Sequence, residues 1–109
     1  MPIKHCVFFK YKAEIDPVAK EQITTKLLDL QKLCLDPTTK ETYIRPGAIT
    51  IGGNVNTENL GKGYDLGFVI DFDTFEQSEY YAHKDPAHDA YKAFVGPLVV
   101  DAFVFDIKA

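Results

Sequence analysis

Nine consecutive residues hold two histidines, two tyrosines and an aspartate: Tyr80-Tyr81-Ala82-His83-Lys84-Asp85-Pro86-Ala87-His88. The Asp-Pro pair within them predicts a helix start, because aspartate caps helix N-termini and proline is favoured at the first helical position. The stretch is therefore expected to form a break between two short helices. The chain has three histidines, and the third, His5, lies near its beginning. A titratable cluster at a helix break is the first place to look for chemistry.

His88 is the strongest candidate for proton transfer in this stretch. An imidazole titrates near pH 6.5, so modest tuning makes it a general acid or base at neutral pH. Tyr80, eight residues earlier and across the break, is placed to hydrogen-bond His88 or to stabilise a developing oxyanion. The competing interpretation is structural, with His88 satisfying helix N-terminal groups or solvent and Tyr80 packed in the core. Spacing alone leaves both interpretations open.

The other two histidines have different surroundings. His5 lies in an apolar strand on the same face as Val7 and Phe9, where a histidine is more often a core residue than a catalyst. Burying it without a partner costs about 1–3 kcal/mol, which disfavours a purely structural role. We expect His83 to close the first of the two short helices by interacting with its free carbonyl groups.

Metal and nucleophile chemistry have little support in the sequence. His83 and His88 are five residues apart with a proline between them, and no carboxylate pair joins them at ligand spacing. The glycine pairs lack the strand–glycine–helix context of a phosphate loop. Cys6 and Cys34 form no Cys-x-x-Cys pair, and we expect both to be reduced. The sequence predicts neither a metal nor a cofactor.

Composition narrows the class of protein. A chain of 109 residues predicts one domain over residues 1–109. Its 46% hydrophobic and 26% charged residues are typical of soluble globular proteins. A net charge of −4 disfavours nucleic acid and anionic membranes as partners. There is no apolar run long enough to span a bilayer and no signal-peptide layout at the N-terminus, so a cytoplasmic protein is expected.

Strands and helices are predicted to alternate along the chain. Apolar runs and period-two alternation predict strands at Ile3–Phe9, Ala48–Gly52, Tyr64–Phe72 and Val99–Ile107. Helical spacing and caps predict helices from Asp16-Pro17 to about Cys34, from Thr74 to His83 and from Ala87 to Val95. The order β-α-β-β-α-β, with the second helix broken, predicts an α+β, ferredoxin-like fold. Such a fold has a four-stranded antiparallel sheet with helices on one face.

The sheet is predicted to be apolar on both faces. Phe103 and Phe105 are expected to face the helices with His5. The side chains expected on the outer face are Cys6, Phe8, Val100, Ala102 and Val104. Left in water, these five apolar side chains would cost on the order of 1.5–3 kcal/mol each. A single helix layer covers one face, so we predict a homodimer packed sheet to sheet. Partial cover by loops is the alternative.

Three segments together resemble the stress-responsive dimeric α/β-barrel (Dabb) domain family. They are Lys4-His5-x-Val7-x-Phe9-Lys10-Tyr11-Lys12, Gly63-Tyr64, and Tyr80-x-x-His83 followed by Asp85-Pro86-x-His88. The resemblance covers nearly the whole chain. It implies a small homodimer in which two ferredoxin-like sheets form a barrel.

The resemblance also implies roles for individual residues. The best-understood enzymes of the family, plant cyclases of the olivetolic acid cyclase type, close a linear polyketide thioester by a cofactor-free aldol condensation. By this resemblance, His88 is the catalytic base, Tyr80 the catalytic tyrosine and His5 a substrate-contacting residue. Leu66 and Leu27 stand where the cyclases have a pocket histidine and tyrosine. Two extra residues, Lys84 and Asp85, precede the helix of the catalytic histidine.

Three hypotheses about function follow. In the first, a cyclase-like enzyme uses His88 to abstract a proton α to a carbonyl, Tyr80 to hold that histidine and His5 to bind the carbonyl oxygen. The apolar walls of its pocket would be Val7, Phe9, Ile23, Leu27, Leu30, Phe68, Ile70, Tyr91 and Phe94. The second is a non-catalytic stable dimer or a binder of small apolar or polyketide-like ligands. The third is a cofactor-independent monooxygenase. An enclosed cavity of at least about 300 Å³ that touches both Tyr80 and His88 would favour ligand chemistry, whereas a filled interior would favour the structural role.

Overall fold

The computed structural model describes residues 1–109 and contains one antiparallel sheet with helices on one face. The strands are β1 (Ile3–Tyr11), β2 (Ile49–Gly53), β3 (Leu66–Phe72) and β4 (Val99–Lys108), in the sheet order β2-β3-β1-β4. The helices are α1 (Pro17–Leu33), α2 (Phe75–His83) and α3 (Pro86–Val95), and a 3₁₀ turn (Gly96–Leu98) precedes β4. The predicted α+β, ferredoxin-like fold is confirmed. None of the helices is long and apolar enough to cross a membrane.

Side-chain caps fix where each helix begins. Asp16 accepts a hydrogen bond from the Val18 backbone N–H at 2.7 Å, and Asp85 accepts one from the Ala87 N–H at 2.9 Å. Proline follows each aspartate at the first helical position, as predicted. Thr74 caps α2 in the same way. The break between α2 and α3 is therefore determined by neighbouring residues, Asp85 and Pro86.

The core lies between the inner face of the sheet and the helices. Alternate residues of β1 point into it and are buried, whereas their neighbours are more exposed. Three residues of α1 at helical spacing, Ile23, Leu27 and Leu30, are fully buried against this face. His5 is the one polar member of the buried β1 set, so β1 carries a titratable group into the core.

The two faces of β4 are the reverse of the prediction. Val7 of β1 pairs with Val104, so Val104 and Ala102 lie on the inner face of the sheet. Phe103 and Phe105 lie on the outer face instead. The one register shift lies between Lys10 and Tyr11, outside this stretch, so uninterrupted pairing with β1 sets the faces of Ala102 to Phe105. Since β4 is apolar on both faces, its sequence alone does not reveal which one faces the helices.

The outer face of the sheet is apolar and uncovered. Its side chains include Cys6, Phe8, Phe103, Phe105 and Ile107. Phe103 and Phe105 are 48% and 57% exposed. Contiguous exposed apolar surface of this kind marks a contact site rather than a solvated face. The corrected register therefore puts larger side chains on this face than the sequence predicted.

Candidate active site

The helix break brings His88 against Tyr81. The two rings stack with their centroids 3.8 Å apart and their planes 17° apart. The Nδ1 atom of His88 lies 2.7 Å from the backbone oxygen of Tyr81. A carbonyl oxygen can only accept, so Nδ1 carries the hydrogen in this contact. In the neutral ring the lone pair is then on Nε2, the nitrogen that is free to act as a base.

The predicted contact between Tyr80 and His88 does not form. The Tyr80 ring packs edge-on against Tyr43, with centroids 5.8 Å apart, and borders a separate polar cleft. Neighbouring helical residues point about 100° apart, so only one of the two tyrosines can face α3. In this structure that residue is Tyr81, whose ring stacks on His88.

His5 has a partner that the sequence did not reveal. Its Nδ1 lies 2.6 Å from a carboxylate oxygen of Asp106, the residue opposite it on β4. The carboxylate accepts this hydrogen bond and so fixes the orientation of the ring. The Tyr81 ring meets His5 edge-on, with centroids 5.5 Å apart. Tyr81 therefore lies between two histidines that come from a strand and a helix.

A cavity of about 340 Å³ lies between β1, β4 and α3, and both His5 and His88 line it. Four of the predicted wall residues line it as well: Val7, Phe9, Phe68 and Tyr91. The lining residues that the sequence did not predict are Ala82, Lys92, Val95, Gly96, Val99, Ala102 and Val104. Two of these were missed because the inner face of β4 was assigned wrongly. The volume is within the range of small-molecule sites.

The remaining predicted site residues lie elsewhere. Four of them, Ile23, Leu27, Leu30 and Ile70, are buried in the core and do not border the cavity. Phe94 is partly buried, with the Lys26 ammonium 5.1 Å from its ring centre. Tyr80 does not border the cavity either. The cavity therefore meets the predicted size and touches His88, but Tyr80 is not part of it.

The environment of His88 keeps its ring neutral. Burial lowers the pKa of His88 to about 4, and the nearby charges of Lys92 and His5 act in the same direction. The hydrogen bond to the Tyr81 carbonyl opposes this shift only in part. At neutral pH the ring is therefore an imidazole with its lone pair on Nε2.

We expect this buried imidazole to make folding stability depend on pH. An unfolded histidine takes up a proton near pH 6.5, whereas His88 in the folded protein does so only near pH 4. The unfolded chain therefore binds more protons between these values, so the free energy of unfolding should fall as the pH drops from about 6.5 to about 4. Urea unfolding measured across this range would test the prediction.

The matched control is His88→Asn, which keeps an N–H donor but does not titrate. Carboxyl groups that titrate in the same range remain in both proteins, so the difference between their pH profiles isolates His88. The variant should lose less stability than the wild type on acidification. Parallel profiles would contradict the assignment of a neutral, buried His88.

Asp85, Tyr43 and Cys34 form a buried polar cluster next to the helix break. Asp85 is 1% exposed, and its second carboxylate oxygen accepts a hydrogen bond from the Tyr43 hydroxyl at 2.5 Å. The Cys34 thiol lies beside both groups, and burial together with the charge of Asp85 raises its pKa. Burial, with the bond to Asp85, likewise raises the pKa of Tyr43. Asp85 therefore caps α3 as predicted. Its bond to Tyr43 also fixes the segment between α1 and β2 against the helix break.

The other candidate ligands lie apart from this site. His83 ends α2 as predicted, but its Nε2 is 3.7 Å from the Glu79 carboxylate and not bonded to a carbonyl. Cys6 and Cys34 are both free thiols. Throughout residues 1–109, no three histidine, cysteine or acidic side chains are arranged to hold a metal ion.

Several solved structures are similar to this chain over nearly its whole length. At3g17210 from Arabidopsis thaliana is 26% identical, with a TM-score of 0.77 over 98% of this chain and 94% of that one. A dimeric ferredoxin-like protein of unknown function from Thermobifida fusca is 22% identical, with a TM-score of 0.75 over 100% and 92% of the two chains. Hydroxynitrile lyase from Passiflora edulis is 18% identical, with a TM-score of 0.77 over 97% and 91%. The last two likenesses concern the fold alone.

A match to a family model is more specific than these likenesses. No curated protein matches the sequence. The model of the stress responsive A/B barrel domain (Dabb) matches residues 3–109. This match confirms the resemblance carried by the strand histidine and the Asp85-Pro86-x-His88 helix start. The chain belongs to the stress responsive A/B barrel domain family.

Proposed function

We propose that this protein is a homodimer that binds a small carbonyl compound with an apolar tail and transfers a proton within it without a cofactor. The observation that carries the proposal is the cavity of about 340 Å³, in which His5 and His88 meet an otherwise largely apolar lining. Such a cavity suits a ligand with one reactive polar end. The apolar outer face of the sheet supports the homodimer, as do neighbours that are described as dimeric.

His88 is the general base in this proposal. Its Nε2 lone pair takes a proton from the carbon next to the ligand carbonyl, and the ring becomes an imidazolium. The Tyr81 carbonyl and ring hold the imidazole in place throughout, the role first assigned to Tyr80. The His5 ring, held by the hydrogen bond between its Nδ1 and Asp106, contacts the carbonyl end of the ligand. Where the ligand has a second carbonyl, the enolate carbon attacks it and closes a ring, and His88 returns the proton to the new alkoxide.

The low pKa of His88 restricts the substrates that it can deprotonate. General bases work best when their pKa lies near the operating pH, so an imidazole with a pKa of about 4 is a weak base at neutral pH. A proton between two carbonyl groups is acidic enough for such a base, and the negative charge of the enolate makes the imidazolium more favourable. We therefore expect β-dicarbonyl compounds, including 3-oxo thioesters, to be the reactive class.

Ligand binding without turnover is the second candidate function. The same weak basicity favours it, as does a lining in which most side chains are apolar. The two candidates share the cavity and differ only in whether His88 moves a proton.

Exchange of the α-proton for deuterium separates the two candidates without requiring the natural substrate. We expect the protein to accelerate this exchange in an alkyl 3-oxo thioester in D₂O, as followed by proton NMR. His88→Asn should reduce the acceleration by about 10²–10⁴-fold, the usual effect of removing a base. Tyr80→Phe is the matched control and should change the rate little, because Tyr80 does not border the cavity.

Each outcome of this experiment has a defined meaning. Saturable binding of the thioester without acceleration favours the binding function over the enzyme. Full acceleration in His88→Asn would remove His88 from the role of base. Absence of any binding at this cavity would contradict both candidates.

A further inference from the structure

We infer that Lys92 makes this site selective for ligands with a carboxylate, so that the preferred class is an oxo acid with an alkyl tail. Lys92 acts on the ligand site proposed above, and its role therefore depends on that proposal. A carboxylate of this kind binds at the cavity wall one helical turn beyond His88, with its tail among the apolar residues of β1 and β4.

The position of Lys92 on α3 carries this inference. His88 and Lys92 are four residues apart, so they lie on the same face of the helix. Both line the cavity. The positive charge of Lys92 also contributes to the low pKa of His88, after burial. A ligand of modest length can therefore contact both side chains.

The charge of the lining is the second observation. Lys92 is the only lysine or arginine that borders the cavity, and no aspartate or glutamate does. The whole chain, by contrast, has a net charge of −4. The only charged side chain that lines the cavity is thus positive, and it favours an anionic ligand over a neutral one once that ligand replaces Asp89 as its partner.

Lys92 is free to exchange its present partner for a ligand. Its ammonium lies 3.3 Å from the Asp89 carboxylate, and both side chains are more than half exposed. Exposed ion pairs of this kind contribute little to stability. A ligand carboxylate can therefore replace Asp89 at small cost, and the flexible lysine stem allows the ammonium to follow it.

Binding of two probes of equal chain length, octanoate and 2-octanone, tests this selectivity. The dissociation constants are measured at pH 7 from NMR shifts of the His88 imidazole. We expect Lys92→Gln to weaken octanoate binding by about two- to fivefold, the effect of losing one half-exposed ion pair. Binding of 2-octanone should not change. Lys92→Arg should keep octanoate affinity within about twofold, because it retains the charge.

Two further variants make the test sharper. Asp89→Asn removes the competing carboxylate and should tighten octanoate binding by about two- to threefold. Lys26→Gln removes a lysine whose ammonium lies over Phe94, outside the cavity, and should change neither affinity. Opposite shifts in the Lys92 and Asp89 variants would be difficult to obtain from a general loss of folding.

The outcomes distinguish this inference from the proposed function. If 2-octanone binds and Lys92→Gln leaves octanoate affinity unchanged, the role of Lys92 is wrong and the ligand site stands. If neither probe shifts the His88 signal, the cavity is not a ligand site for either class, and the proposed function fails with the inference.

Discussion

Replacement of Asp85 by alanine is expected to lower the free energy of unfolding by about 2–4 kcal/mol. Loss of the N-cap of α3 accounts for about 1 kcal/mol of this. The Tyr43 hydroxyl would also lose its acceptor inside the protein, and an unsatisfied buried hydroxyl costs about 1–3 kcal/mol. For a domain of this size the midpoint of thermal unfolding should fall by roughly 10–20 °C.

Two matched variants separate the cap from the buried hydrogen bond. Asp16→Ala removes the N-cap of α1, an exposed aspartate whose side chain caps the helix in the same way, and should cost about 1 kcal/mol. Asp85→Asn keeps an oxygen for the cap and should lose less stability than Asp85→Ala. Urea unfolding of all three variants measures the differences. Equal losses in Asp85→Ala and Asp16→Ala would mean that the Tyr43 bond contributes nothing.

Phe103→Lys is expected to raise the dissociation constant of the proposed dimer by at least about 100-fold. Phe103 packs with Phe8 and Tyr64 in an aromatic group on the outer face of the sheet. In a two-fold interface the substitution occurs twice, and each lysine places a charge against an apolar surface. Loss of one central aromatic contact commonly costs 2 kcal/mol or more, so two such losses give an effect of this order.

Sedimentation at micromolar concentration measures this effect, because the 12.3 kDa chain and its dimer differ twofold in mass. Val18→Lys is the control: Val18 is 63% exposed on α1, on the opposite side of the sheet. This variant should remain dimeric. A dimeric Phe103→Lys protein with a normal circular dichroism spectrum would locate the interface elsewhere. A monomeric wild type would make the dimer proposal wrong.

The fold could be predicted because its signals are local. Asp16-Pro17 and Asp85-Pro86 mark helix starts within two residues, and the alternation of β3 is visible along a single segment. The faces of β4 could not be predicted in this way. Its two faces are both apolar, so which one faces the helices depends on how β4 pairs with β1, and the sequence of a single strand does not show this.

In the candidate site, too, local signals could be predicted and tertiary contacts could not. His5 and His88 could be found from residue type and spacing, and both border the cavity. Their partners could not be found so easily. Asp106 reaches His5 only because β4 pairs with β1 in one register. The sequence predicted that Tyr80, and not Tyr81, contacts His88. Which of the two does so depends on the rotation of α2 relative to α3. The contact between Tyr43 and Asp85 joins residues 42 positions apart and has no sequence pattern at all.

β4 is an edge strand of the sheet, and exposed edge strands can promote aggregation. An edge strand presents unpaired backbone groups to which the strand of another molecule can add, and this one is apolar on both faces. Asp101 and Asp106 leave an uninterrupted apolar run of only four residues, Ala102 to Phe105. That run is shorter than the six or seven residues that self-stacking segments use. We therefore expect the aspartate that orients His5 to limit fibril formation as well.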